Sequence, residues 1–157
     1  MKNLENLIST GELSFEGIAS SFFLIGLLSA FDNRYQAKAD SFFEKITWKQ
    51  FFAIICINLC QESPTIKELA EIMGSSHQNV KQILIKLESK GYVQMIIDEE
   101  DKRKQRIILT DKTRAFCAEN DEGSKIIVDK IFDGIAVQDI EVTIKTILHM
   151  EKNLEKV

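Results

Sequence analysis

A single proline, Pro64, in 157 residues leaves almost nothing to interrupt a helix, and seven glycines supply few irregular turns. A mostly helical chain with short loops is therefore expected. Cysteine is scarce too. Cys56, Cys60 and Cys117 are too few, and odd in number, for a disulfide framework, which fits a reducing cytoplasm. No long apolar run is present: the least charged stretch, Gly17 to Phe31, falls short of the about 18 apolar residues that a membrane span requires. As a leader peptide it starts late, with Glu5, Glu12 and Glu16 where a basic region belongs, so it reads as a buried helix. The two histidines, His77 and His149, are far apart, and no Cys/His spacing matches a zinc site. Nucleophile elbow, phosphate loop and HExxH motif are all missing, so neither catalysis nor a cofactor is expected. No repeat of solenoid length recurs.

What is present is the balance of an ordinary globular protein, 45% hydrophobic and 28% charged, long enough for one domain with terminal additions. The net charge of −4 hides an uneven distribution. Between Pro64 and Ala115 ten Lys and Arg face eight acids, giving +2, which leaves −6 for the remainder. A modestly basic centre in acidic flanks is compatible with a nucleic-acid-binding module on another scaffold.

Periodicity then places the elements. Residues 16–44 read as one long helix whose first half is apolar almost all round, through Phe15, Ile18, Phe22, Ile25 and Leu28. So small a chain lacks the core to cover it, and a second subunit is the natural cover. Thr47 caps a second helix, Trp48 to Gln61. Thr65 caps a short helix, Ile66 to Met73, with Glu68 completing a capping box and Leu69, Ala70 and Met73 facing inward. Gly74 ends it. Ser75-Ser76 opens the next helix, which runs to Lys90 and stops at Gly91. Two short helices joined by a Gly-Ser-Ser turn are a helix-turn-helix pattern. Tyr92–Ile97 and Arg106–Leu109 read as a hairpin around the charged tip 98–105. Thr110 or Asp111 caps a helix to about Phe132, Gly134 breaks the pattern, and Val137–Lys156 is amphipathic through Ile140, Ile144, Ile147, Leu148 and Leu154.

The expected fold is mainly α with a small β wing. Residues 1–45 are an N-terminal dimerisation region, 46–110 a winged helix-turn-helix, and 111–157 C-terminal dimerisation helices.

On a wheel of 100° per residue, Val80, Ile83, Leu84 and Leu87 of helix 76–90 fall on one side. Opposite them lie Gln78, Lys81, Gln82, Ile85, Lys86 and Ser89, with no acid and Glu88 near the edge. Gln can bond adenine N6 and N7, Lys can reach guanine acceptors or phosphate, and Ile85 can meet a thymine methyl. A solvated helix face has the same composition; the preceding short helix and following hairpin favour DNA reading. The tip, from Asp98 to Arg106, reads as a wing that straddles phosphates or enters the minor groove, with Asp101 orienting Arg103. Two other readings are a soluble mixed-charge turn and a metal site of the four acids. The latter lacks the spaced ligands and central Gly of a calcium loop.

These residues carry a resemblance. Asp101-Lys102-Arg103 followed by Ile107-Ile108-Leu109-Thr110 resembles the D-x-R…L-T wing of the MarR family of bacterial transcription regulators. Leu87-Glu88-Ser89-Lys90-Gly91-Tyr92-Val93 matches its "LE-x-KG-aromatic-V" junction. Pro64-Thr65-Ile66-Lys67-Glu68-Leu69-Ala70 matches its "PT-x-x-ELA" helix, and Ile46-Thr47 with Gln50 its "LT-x-x-Q" opening. The resemblance spans roughly residues 44–112 in order and register. It implies a homodimer with interlocked terminal helices that sets two winged helices on a palindromic double-stranded operator. In many relatives it also implies small, often aromatic or phenolic, effectors bound between the dimer domain and the winged helix.

Carried over position by position, Ser76, Gln78, Asn79, Lys81, Gln82 and Lys86 fall on the recognition helix, and Asp101 and Arg103 on the wing. With Ser75, Lys102, Lys104 and Arg106 they form the expected DNA-binding set. Gln82 and Gln94 stand where the family often has a basic residue, the Gly usual after the L-T is Thr113 or Arg114, and Glu99 and Glu100 add negative charge. Fewer phosphate contacts imply weaker, more salt-sensitive or more site-dependent binding. The expected function is a cytoplasmic double-stranded-DNA-binding transcriptional regulator, a repressor relieved by a small effector or an oxidant. The alternative is a winged-helix protein-interaction module with weak or no DNA binding.

Some relatives sense peroxide through a cysteine of the first long helix, which has none here; Cys56 and Cys60, among Phe52, Ile55 and Leu59, read as packing residues. The aromatics Phe22, Phe23, Phe31, Phe42, Phe43, Trp48, Phe51 and Phe52 fit either an effector pocket or a dimer core.

Overall fold

The computed structural model describes residues 8–11 and 14–157; residues 1–7 and 12–13 of the 1–45 region lie outside the described residues. It is mainly helical with one two-stranded antiparallel sheet: α1 (Ser20–Asp40), α2 (Trp48–Leu59), α3 (Ile66–Ile72), α4 (His77–Ser89), β1 (Val93–Ile97), β2 (Gln105–Leu109), α5 (Asp111–Ile131) and α6 (Val137–Leu154). Two compact units result, Met1–Thr110 and Asp111–Val157.

The first helix is shorter than the apolar pattern implies, 20–40 rather than 16–44. Gly17 takes φ +80°, a left-handed turn that a helix cannot include, and Ser41 closes the other end. Asp40 then accepts a hydrogen bond from the Trp48 N–H at 2.5 Å, tying the end of α1 to the start of α2. Phe22 is 74% and Phe31 54% exposed in the single chain.

Each of the three central helices is started by its own sequence. Thr47 Oγ1 accepts the Gln50 N–H while Gln50 accepts the Thr47 N–H; Thr65 and Glu68 repeat this reciprocal arrangement at α3. Ser76 caps α4 through the Asn79 N–H. Between α3 and α4, Gly74 at φ +57° makes the reversal that places the two helices against each other. Helix α2 stops at Leu59, two residues before the pattern implies, because Cys60 is already extended.

The core sits where these helices meet the sheet. Ile54 of α2, Leu69 of α3, Val80, Leu84 and Leu87 of α4, Val93 of β1 and Ile107 of β2 are fully buried. Each such side chain contributes about 1.5–3 kcal/mol through lost apolar surface. The i, i+3, i+4, i+7 spacing of Val80, Ile83, Leu84 and Leu87 puts all four on the buried side of α4, as the wheel implies.

The sheet pairs Val93 with Leu109 and Met95 with Ile107 on one face, and Gln94 with Ile108 and Ile96 with Arg106 on the other. Beside β2 lies a segment the sequence pattern did not reveal. The Ile107 N–H donates to the Pro64 carbonyl at 2.9 Å, and Thr65 forms a bridge with Arg106. On the opposite edge the Met95 N–H donates to Glu88 Oε1 at 2.8 Å. Thr110 closes the hairpin by donating its hydroxyl to the Gly91 and Tyr92 carbonyls.

In the second unit, α5 and α6 are separated by a turn at Gly134, φ +76°. Val142, Ile144, Leu148 and Leu154 of α6 are exposed. Among the described residues no helix is long and apolar enough to cross a membrane.

Candidate nucleic-acid interface

The expected recognition face begins at the turn. Ser76 Oγ accepts the Asn79 N–H at 3.3 Å, and the Asn79 side-chain amide donates to Ser75 Oγ at 2.8 Å. Three of the expected DNA-binding residues, Ser75, Ser76 and Asn79, are therefore held in one capping cluster. It fixes the direction in which the helix leaves the turn. Gln78, Lys81, Gln82 and Lys86 are exposed, and no hydrogen bond or ion pair engages their side chains among the described residues. The first turn of α4 contains no acid. Its outer surface is a row of free amide and ammonium groups that runs from the helix N-terminus, itself favourable to anions, to Lys86 in the last turn.

The wing is built on its acids. Asp98, 5% exposed, accepts the backbone N–H groups of Asp101 at 2.7 Å and Glu100 at 2.9 Å through Oδ1, and the Arg106 guanidinium at 2.5 Å through Oδ2. The Asp101 N–H, then the Arg106 side chain, hold its pKa down at about 2. Asp101 accepts Arg103 Nε at 3.1 Å and Nη2 at 3.4 Å and lies 3.6 Å from Lys104 Nζ, which lowers its pKa too, Arg103 being the larger cause. The orientation of Arg103 by Asp101 is thus as the spacing implies. Two of the four tip acids frame the turn, while Glu99 and Glu100 remain exposed. Among the described residues no group of three or more His, Cys, Asp or Glu is placed to hold a metal ion.

Arg103 and Lys102 project outward, the Arg103 side chain 92% exposed. Arg106 stands differently from the rest of the expected set. Its Nη1 donates to the Ser63 carbonyl at 2.8 Å while Nε is held by Asp98. A hollow of about 560 Å³ joins the two halves of the face, with Lys81 and His77 of α4 on one side and Arg103, Lys104 and Arg106 on the other. Lys67 of α3 and Gln105 also line it, and neither stands out by spacing alone. Lys67 pairs with Glu71 at 3.9 Å, both well exposed, a pairing of small energetic weight.

A second hollow, about 420 Å³, lies on the other side of the turn. Asp32, Tyr35 and Gln36 of α1 and Trp48, Lys49 and Phe52 of α2 line it together with Ser75 and Asn79. Tyr35 meets Trp48 edge-on at 4.7 Å, and Trp48 stacks on Phe52 at 6.1 Å. Trp48 and Phe52 thus line a cavity, while Phe22 and Phe31 remain at the surface. Cys56 is buried, and the half-buried Cys60 donates its thiol to the Cys56 carbonyl at 3.2 Å. Burial pushes the Cys56 and Cys117 thiols above their ordinary range.

Residues 46–104 match the model of the MarR family. The chain is similar to a MarR/EmrR family transcriptional regulator from Acinetobacter sp. ADP1, at 14% identity and a TM-score of 0.78, over 89% of this chain and all of that one. It is also similar to Streptococcus pneumoniae FabT, solved in complex with DNA, at 24% identity and a TM-score of 0.62, over 88% and 99% of the two chains. Bordetella bronchiseptica BpsR, whose DNA binding is regulated by 6-hydroxynicotinic acid, gives 18% identity and a TM-score of 0.70 over 82% and 98%.

Proposed function

From a chain whose residues 46–104 are a MarR-family winged helix within the fold of that family's transcriptional regulators, we propose a protein that reads duplex DNA in the cytoplasm and represses transcription. The observation that carries this reading is the exposed, acid-free row Gln78, Lys81, Gln82 and Lys86, of which Lys81 lines one hollow together with Arg103 and Lys104. On this reading α4 enters the major groove, and the wing's Lys102, Arg103 and Lys104 reach the adjoining backbone or minor groove. Ser75, Ser76, Asn79 and Asp101 hold those side chains in position.

Residues 46–110 act as the reading head, and 1–45 and 111–157 as dimerisation regions. Exposed Phe22, Ile25 and Phe31 on α1 and Val142, Ile144 and Leu148 on α6 support a homodimer, because surface of this kind is normally covered. Two heads then address a palindromic operator. The hollow lined by Tyr35, Trp48 and Phe52 is the place for a small aromatic effector, since it also touches Ser75 and Asn79 at the start of the recognition helix. The BpsR relative offers a parallel for regulation of this kind.

The test is a titration against duplex from the protein's own upstream region at two salt concentrations. Specific, strongly salt-dependent binding that Arg103→Ala weakens is expected. No binding at low salt would overturn the reading. It would favour the second one, a protein-interaction module, which rests on Glu99 and Glu100 standing exposed beside Ile96 and Ile97.

A further inference from the structure

We propose that Arg106 is the positioning residue of the wing: it contacts no nucleic acid, and through Asp98 and the Ser63 carbonyl it sets where Arg103 and Lys104 stand relative to the recognition helix. The proposal rests on the DNA-reading role above and specifies how the wing performs it.

A two-stranded ribbon has little stability of its own, and its tip swings unless something outside the pair holds it. In this protein the hold is on β2. The Ile107 N–H is bound by the Pro64 carbonyl at 2.9 Å, and one residue earlier Arg106 Nη1 is bound by the Ser63 carbonyl at 2.8 Å. The same guanidinium turns Nε to Asp98 Oδ2, and Asp98 Oδ1 gathers the N–H groups of Glu100 and Asp101. Asp101 in turn clasps Arg103. An unbroken polar chain therefore runs from the loop before α3, through Arg106, Asp98 and Asp101, to the exposed Arg103 of the tip.

Two features keep Arg106 in this role. A guanidinium presents several donors in one rigid plane, so it can hold a carboxylate and a carbonyl at once; a lysine ammonium is a point charge on a flexible stem. Withdrawing Arg106 toward a phosphate would also strip Asp98, whose side chain is only 6% exposed, of the cation it is paired with. Leaving a buried carboxylate unpaired is costly. Arg103, by contrast, keeps donors free on an exposed side chain.

Asp98→Asn and Arg106→Lys distinguish this role from direct contact. If Arg106 bound phosphate through its charge, Arg106→Lys would keep affinity, and Asp98→Asn, which removes a negative charge and frees the arginine, would bind DNA more tightly. The positioning role requires the opposite. Each variant is expected to bind duplex from the upstream region about tenfold more weakly, on the scale of one or two lost charge-assisted hydrogen bonds. Each should lose the wing's hydroxyl-radical footprint while keeping methylation protection of major-groove guanines under α4. Amide exchange at Ile107 should accelerate in both variants without DNA. The double variant should lose no more than either single one, because all three break the same chain. Tighter binding by Asp98→Asn, an intact wing footprint in Arg106→Lys or additive losses would each overturn the positioning role alone. A wild-type protein that leaves no footprint would overturn the DNA-reading function, and this role with it.

Discussion

Asp98 and Asp101 stand three residues apart in a run of four acids and do different work. Asp98 is buried and stabilised as an anion by two backbone N–H groups and a guanidinium; Asp101 is half-exposed and holds Arg103 out toward solvent. Because the folded-state pKa of Asp98 lies at about 2, below its ordinary 3.8, its stabilising effect is complete above the ordinary value. It is lost as pH falls through the folded one. The stability difference between wild type and Asp98→Asn, measured by urea unfolding, should be constant from pH 5 to 8 and should disappear as pH approaches 2. A difference that already fades at pH 5 would contradict the buried-anion account. Arg103→Ala tests the other acid's client. It should weaken binding by about 1–3 kcal/mol and reduce the slope of affinity against salt by about one.

At the scale of elements, the helix starts are local affairs and the wing is not. Thr65→Ala removes the oxygen that accepts the Glu68 N–H and should cost about 1 kcal/mol in denaturant unfolding. Leu84→Ala, in the fully buried side of α4, should cost about 2–5 kcal/mol. Both features are legible in a linear reading, because a cap and its partner lie three residues apart and a helical stripe repeats every three or four. The same logic makes the core face of α4 and the clasp of Asp101 on Arg103 legible in the sequence. Arg106 was not legible in this way. Its partners are Asp98, eight residues back, and the carbonyl of Ser63, 43 residues back, and a linear pattern shows only one more cation in a charged tip. The Pro64–Thr65 segment escaped for a related reason, since one bridge and one hydrogen bond leave no periodic trace. The late start of the long helix has a simpler cause: the apolar spacing already runs through Phe15 and Ile18, but the backbone at Gly17 turns left-handed.

At the scale of the molecule, apolar side chains stand exposed on α1 and on α6, and the proposed homodimer would cover them. Sedimentation should show a dimer, and Phe22→Glu or Leu148→Glu should shift it toward monomer and lower the thermal midpoint. That midpoint should also rise with protein concentration, as expected when folding and association are linked. A monomer that keeps full stability and operator affinity would count against the dimeric reader. The small sheet has a different exposure. One margin carries Glu88 on the Met95 N–H, and the other carries Pro64 and Thr65 alongside β2. With both margins occupied, the hairpin offers little template for strand-by-strand growth. If this protein self-associates when overproduced or briefly heated, the deposits should therefore be amorphous and helix-rich, joined through greasy helical surfaces, and poor in thioflavin-binding fibrils.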